Sequence, residues 1–211
     1  MDTKPNSRTS KNLHIAVVTE TWPPEINGVS LTTQRLVRGM LSRGHRVSLV
    51  RPRQGKHDDG GSNSIAAASL ADDLSLADTL RVKGIPIPGY PGLRFGLPAH
   101  RMLQRKWAAD RPDIVQVVTE GPLGASAVGA ARALGLPIIS EFHTNFHSYS
   151  QHYGWGWLTS LIAGHLRRLH NRASLTLAPS EAMASTLTHS GYRQVRVVSR
   201  GIDTQLFHPG R

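Results

Sequence analysis

Short apolar runs rich in β-branched residues recur along the chain, each followed by a loop and then by a segment with helical spacing. This alternation limits the fold more than any single motif does, because it builds parallel sheets covered by crossover helices. Leu13 to Thr19 (LHIAVVT) reads as a strand buried on both faces. Pro23 and Pro24 then forbid helix continuation, and Asn27-Gly28 supplies a turn. From Val29 onward, Val29, Leu36, Val37, Met40 and Leu41 recur at helical spacing with Arg35, Arg38 and Arg43 between them, and Gly44 closes the helix. His45 to Val50 alternates as a second strand, so residues 13–50 form one strand–helix–strand unit with an expected right-handed crossover.

The same reading continues to the end. Leu80 to Ile87 is predicted as a third strand, and the Pro/Gly-rich GYPGLRFGLP as a lead-in to a helix over residues 99–109. Ile114 to Val118 is a buried strand, followed by TEGPLG and the small-residue helix ASAVGAARAL. Pro137 to Phe142 starts the next strand, and Leu158, Leu161, Ile162, His165, Leu166 and Leu169 share one face of a helix over residues 155–170. Leu175 to Ala178, a helix EAMASTLTH capped by Ser180, and Val195 to Val198 complete the pattern. The expectation is a Rossmann-like, doubly wound, mostly parallel α/β sheet over residues 13–200. It follows a polar tail at 1–12 and carries a Gly/Ser-rich surface insertion at 54–79.

Composition removes several classes of function. There is no cysteine among the 211 residues, so disulfides, thiolate metal sites and thiol nucleophiles are excluded. No run approaches the roughly 18 apolar residues of a membrane span, and residues 1–12 lack the apolar segment of a secretory signal, which points to the cytoplasm. The net charge is +11, with 20 of the 25 basic residues arginine. Those arginines are dispersed and come with neither a reader motif nor an aromatic stacking platform, so nucleic acid is not an expected partner.

In an open parallel sheet, ligands gather outside the carboxyl ends of the strands, and three loops there stand out. Behind Asn27 and Gly28, the start of a helix aims backbone N–H groups at a potential phosphate, although an Asn-Gly pair also serves simply as a turn. The segment Glu141-Phe142-His143-Thr144-Asn145-Phe146-His147, with His152 nearby, admits three readings. It could hold a metal with Glu141 as a further ligand, use His143 as a neutral imidazole against a sugar hydroxyl, or bury a histidine satisfied by backbone. The metal reading is the least favoured, because Thr144 stands where the zinc-protease motif requires glutamate. In Thr119-Glu120-Gly121-Pro122, Glu120 either accepts hydrogen bonds from hydroxyls or faces the positive end of the following helix, and the second is preferred.

Seven segments carry a resemblance in order along the chain: HIAVVTETWPPEINGVS, RGHRVSLVRP, YPGLRFGLP, PDIVQVVTEGPLG, GLPIISEFHTNF, LAPSEAM and RGIDTQLFHP. Together they resemble the amino-terminal, acceptor-side half of a retaining GT-B glycosyltransferase of family 4. Within that family they are similar to the GDP-mannose-dependent α-mannosyltransferases and the sulfoquinovosyl-type lipid glycosyltransferases. The resemblance implies a hexose, mannose from GDP-mannose being favoured, transferred with retention to a lipid or polyol acceptor. It places Asn27 and Gly28 by the donor diphosphate and His143 on the donor sugar, with Glu120 and Thr144 as cleft residues. No metal or cofactor is implied.

Residues 201–211 resemble the junction to a second nucleotide-sugar domain, whose groups no residue here matches. The chain on its own is therefore expected to be inactive, with a separate carboxyl-terminal domain chain as an expected partner. The alternative is a non-catalytic binding module or a degenerate remnant. A further expectation is a peripheral seat on the inner, anionic face of a membrane. It rests on Arg101, Arg105 and Lys106 beside Leu103 and Trp107, and on Arg167, Arg168 and Arg172. The competing reading makes both segments ordinary core-facing helices.

Overall fold

The computed structural model describes residues 12–25, 27–54, 75–87, 90–143, 156–199 and 201. Strands β1 (His14–Val18), β2 (Arg46–Pro52), β3 (Asp78–Val82), β6 (Ile114–Val117), β7 (Ile138–Glu141), β8 (Leu175–Ala178) and β9 (Val195–Val197) form one sheet. Its order is β3-β2-β1-β6-β7-β8-β9, and every pairing in it is parallel. The chain first builds outward from β1 to β3, then crosses back to β6 on the other side of β1. The switch point of the sheet therefore lies between β1 and β6. The expected Rossmann-like architecture is present.

Among the described residues, five helices connect the strands: α1 (Gly28–Ser42), α2 (His100–Ala109), α3 (Pro122–Ala133), α4 (Gly156–His170) and α5 (Glu181–His189). Strand alternation sends Ile15, Val17, Val47 and Leu49 to one face, where they pack with Trp22 and with Val37 of α1. Ala16, Val18, Val50, Val115 and Val117 face the other way, onto Leu103 and Trp107 of α2 and the small side chains Ala127, Ala130 and Ala131 of α3. Alanines bring α3 close to the sheet, as its composition predicts. Phe142, Ala178, Leu187 and Tyr192 form a third cluster beneath α5.

Three expectations change. The predicted strand at 80–87 is two strands, because the chain turns out of the main sheet after β3. There β4 (Gly84–Ile87) pairs antiparallel with β5 (Tyr90–Gly96), the segment read from sequence as an irregular lead-in. Gly84 permits that departure, since a Cβ there would stand 3.0 Å from Pro52 Cβ and 3.2 Å from the Arg53 carbonyl oxygen. Pro86 and Pro91 are tolerated because a two-stranded ribbon consists of edges.

The insertion also ends earlier than expected, with Asp78 and Thr79 already paired to Ser48 and Leu49, while residues 55–74 lie outside the described residues. Finally, Leu103 and Trp107 are 0% and 2% exposed, so the apolar side of α2 is core and cannot face lipid. In α4, Leu166 and Leu169 are buried, whereas Leu161 and Ile162 are exposed. No helix among the described residues is long and apolar enough to cross a membrane.

Candidate active site

Since all seven strands of the main sheet run the same way, the loops after β1, β6 and β7 emerge along one edge. These strands are neighbours, so the ends of β1 and β7, from which the Asn27-Gly28 loop and His143 follow, stand about two strand spacings, or roughly 10 Å, apart along it.

The loop after β1 is ordered by its own side chains. Thr19 donates its hydroxyl to the Thr21 carbonyl (2.8 Å), and Asn27 Nδ2 donates to Thr21 Oγ1 (2.6 Å). That fixes the Asn27 amide with Oδ1 toward α1, where it accepts from the N–H groups of Val29 (3.1 Å) and Ser30 (2.9 Å). Asn27 is thus an N-cap, and its own carbonyl accepts from Leu31 N–H (3.1 Å). The amides expected to await a phosphate are occupied by the side chain that precedes them. Gly28 is exposed at the start of the helix.

The base of the switch point is closed by a residue that sequence reading passed over. Glu20 is 7% exposed, and it accepts from the Leu123 N–H at the start of α3 (2.9 Å) and from the Gly96 N–H at the end of β5. Its own N–H donates to Thr119 Oγ1 (2.8 Å). A Cβ on Gly121 would come within 2.2 Å of Glu20 Oε1, so only glycine lets the carboxylate in. Burial pushes the Glu20 carboxyl up to about 7, against the opposing pull of the N–H donors. Burial likewise raises Glu25 above the usual carboxylate range, opposed by hydrogen bonds from Thr21 and Gln54 and by Arg51 and Arg94.

Glu120 does not sit at the positive end of α3, because Glu20 holds that place. The Glu120 side chain is 7% exposed and turns inward, with Oε1 3.5 Å from Nε2 of the fully buried His170 at the end of α4. His170 Nδ1 is 2.9 Å from Ser140 Oγ on β7, and its ring packs between Phe142 and Tyr192. Burial raises the Tyr192 phenol, and the nearby Glu120 carboxylate adds to that shift.

His143 has a built partner. Glu141, the last residue of β7, accepts from Gln116 Nε2 of β6 on Oε1, and its Oε2 lies 2.6 Å from His143 Nε2. The imidazole side chain is 9% exposed and the carboxylate 11%, so water scarcely competes for the contact. A neutral imidazole donating Nε2–H to this carboxylate carries its lone pair on Nδ1. Glu141, considered from sequence as a metal ligand, serves as the group that orients His143. Thr144, His147 and His152 lie outside the described residues, and among the described residues no group of three histidines or carboxylates is gathered to hold a metal ion.

The fold is a Rossmann-like unit whose ligand edge is polar. Sucrose-phosphate synthase from Thermosynechococcus elongatus shares this fold with a TM-score of 0.63 at 12% identity, over 94% of the present chain and 50% of that one. The chain belongs to Glycosyltransferase Family 4, whose model matches residues 26–206. It is 29% identical over 200 residues to a GDP-mannose-dependent alpha-mannosyltransferase of Mycobacterium tuberculosis, covering 93% of this chain and 50% of that protein. It is 26% identical over 204 residues to the sulfoquinovosyl transferase SQD2 of Arabidopsis thaliana, covering 95% and 37% respectively. The chain therefore spans half the length, or less, of these curated relatives.

Proposed function

We propose that this chain forms the acceptor-side half of a hexosyltransferase that moves mannose from GDP-mannose to a lipid or polyol with retention of configuration. The observation that carries the reading is the Gln116–Glu141–His143 chain of hydrogen bonds, on the strand edge that also bears Asn27 and Gly28. The donor preference is supported by the mycobacterial relative, which is a GDP-mannose-dependent alpha-mannosyltransferase.

In this reading the bond from the anomeric carbon to the diphosphate breaks as the acceptor oxygen bonds to the same face of that carbon. The acceptor's proton passes to the departing phosphate oxygen. His143, held by Glu141, positions a sugar hydroxyl and forms no covalent bond to it. Gly28 offers a side chain-free approach for the diphosphate, whose growing negative charge the positive end of α1 stabilises. Thr144 is taken as a further cleft residue, as the family resemblance implies, and the isolated chain is expected to turn over no substrate.

Isothermal titration of the 211-residue chain with a polyol or a soluble lipid acceptor, and with GDP-mannose, tests the reading. Saturable acceptor binding, together with GDP-mannose binding that His143→Ala weakens, supports it. Absence of binding to sugar, nucleotide and lipid alike, or steady hexose transfer by the chain alone, overturns it.

A further inference from the structure

A second concave surface lies on the same edge of the sheet, on the side of β1 away from His143. It is a hollow of about 840 Å³ whose rim carries Arg53, Arg81, Lys83, His100 and Arg101. Apolar side chains of Val82, Leu97, Pro98 and Met102 also line it. No acidic side chain is among these lining residues, whereas Arg53, Lys83 and Arg101 are.

The walls are fixed by backbone bonds. Arg53 N–H donates to the Val82 carbonyl (2.9 Å), and Leu97 N–H donates to the Lys83 carbonyl (2.8 Å). The end of β2, the end of β3 and the approach to α2 are thereby held as one frame, with Gly84 allowing the close contact with Pro52 and Arg53. The side chains of Arg53, Lys83 and Arg101 are exposed at this hollow, and like charges gathered at one concave opening focus a positive potential there that attracts an anion. Guanidinium groups match the oxygens of a phosphate in particular, through paired N–H donors. Beside the phosphate site, Met102 is 41% exposed and extends the apolar surface outward.

We propose that this hollow binds the phosphate ester of the acceptor and so makes the protein selective for phosphate-bearing acceptors. The acceptor role rests on the function proposed above, whereas the anion site rests on the hollow alone. With β1 between them, β3 and β7 put the acceptor's anionic end on one side of the Asn27 loop and the sugar-positioning His143 on the other. An acceptor anchored by its phosphate over β3 would extend its hydroxyl toward the centre of the edge.

The test follows amide NMR shifts of the 211-residue chain during titration with inorganic phosphate, glycerol 3-phosphate and dihexanoyl phosphatidylglycerol, at constant ionic strength set by chloride. Saturable shifts centred on Lys83, Leu97 and Arg101 are expected. They should weaken at least tenfold in the triple variant Arg53→Gln, Lys83→Gln, Arg101→Gln, and stay unchanged in Arg38→Gln on the exposed face of α1. Binding that strengthens from phosphate to the glycerol ester to the lipid identifies a lipid headgroup, and equal binding of all three identifies a free phosphate group as the feature read. Shifts elsewhere on the protein, shifts reproduced by chloride, or shifts that persist in the triple variant overturn the site. Failure of the hexosyltransferase reading would instead show as loss of sugar and nucleotide binding, with these titrations intact.

Discussion

Replacing Glu20 by glutamine tests whether burial or hydrogen bonding governs the carboxylate that closes the switch point. Two backbone N–H groups and the start of α3 favour the anion, while removal from water favours the acid. With the folded carboxyl at about 7 against an ordinary 4.5, burial prevails. Between those two values the native protein holds a proton that the unfolded chain releases, so stability falls as pH rises through this window and is constant outside it. The gap corresponds to about 3 kcal/mol.

Glutamine cannot ionise, and its amide N–H₂ meets a backbone donor, so Glu20→Gln carries a fixed penalty of about 1–3 kcal/mol at every pH. The informative quantity is therefore the difference in unfolding free energy between variant and parent, measured at pH 5 and at pH 8. Histidine titration, common to both proteins, cancels in that difference. Urea unfolding followed by tryptophan fluorescence suits the purpose, because Trp22 and Trp107 are each 2% exposed on opposite faces of the sheet. The difference should move in favour of glutamine by about 3 kcal/mol from the lower to the higher pH. A difference flat between pH 5 and pH 8 would mean that the folded carboxyl lies at or below its ordinary value, with the N–H donors matching or outweighing burial, and would refute the reasoning.

Other perturbations read neighbouring parts of the edge. Gly121→Ala, whose Cβ would lie 2.2 Å from Glu20 Oε1, should lower stability by about 1–3 kcal/mol in the same urea assay. Asn27→Ala removes the cap on Val29 and Ser30 and should cost about 1 kcal/mol, seen as a lower thermal midpoint. In a transfer-competent protein containing these residues, His143→Ala should lower kcat by about a hundredfold. Glu141→Gln there keeps an oxygen for Gln116 and turns an N–H₂ donor to His143 Nε2, forcing the other imidazole tautomer, and should lower kcat by about tenfold with little change in stability. Equal loss of activity and stability in Glu141→Gln would make that residue structural.

What sequence reading could and could not reach follows from how far apart the interacting residues are. The strands and helices were legible because hydrophobic period is local: His14–Val18 and Glu181–His189 fall where the pattern puts them, and Ser180 caps α5 through Met183 N–H as its position suggests. The β4–β5 ribbon was not legible, because GYPGLRFGLP is dense in turn residues and its pairing depends on Gly84 slipping past Pro52. The role of Glu20 was hidden for a stronger reason. Its partners Gly96 and Leu123 are 76 and 103 residues away, and nothing in VVTE announces them beyond a charged residue directly after a buried strand. Glu120 shows the converse, since a glutamate placed before a helix by sequence turns inward to His170, 50 residues on, while a distant glutamate takes the helix end.

These internal caps bear on how a diphosphate could be received. Asn27 Oδ1 on α1, Glu20 on α3 and Ser180 Oγ on α5 each fill a helix start that a parallel sheet directs toward its ligand edge. A phosphate arriving at α1 thus competes with an amide oxygen already bonded to two N–H groups, and gains from them only the difference between a charged and a neutral acceptor. The long-range field of the helix remains available, and the exposed Gly28 leaves the approach open. This edge is therefore suited to stabilising charge that develops during reaction rather than to holding a phosphate tightly beforehand. Tight retention of the nucleotide must come from side chains other than the three caps.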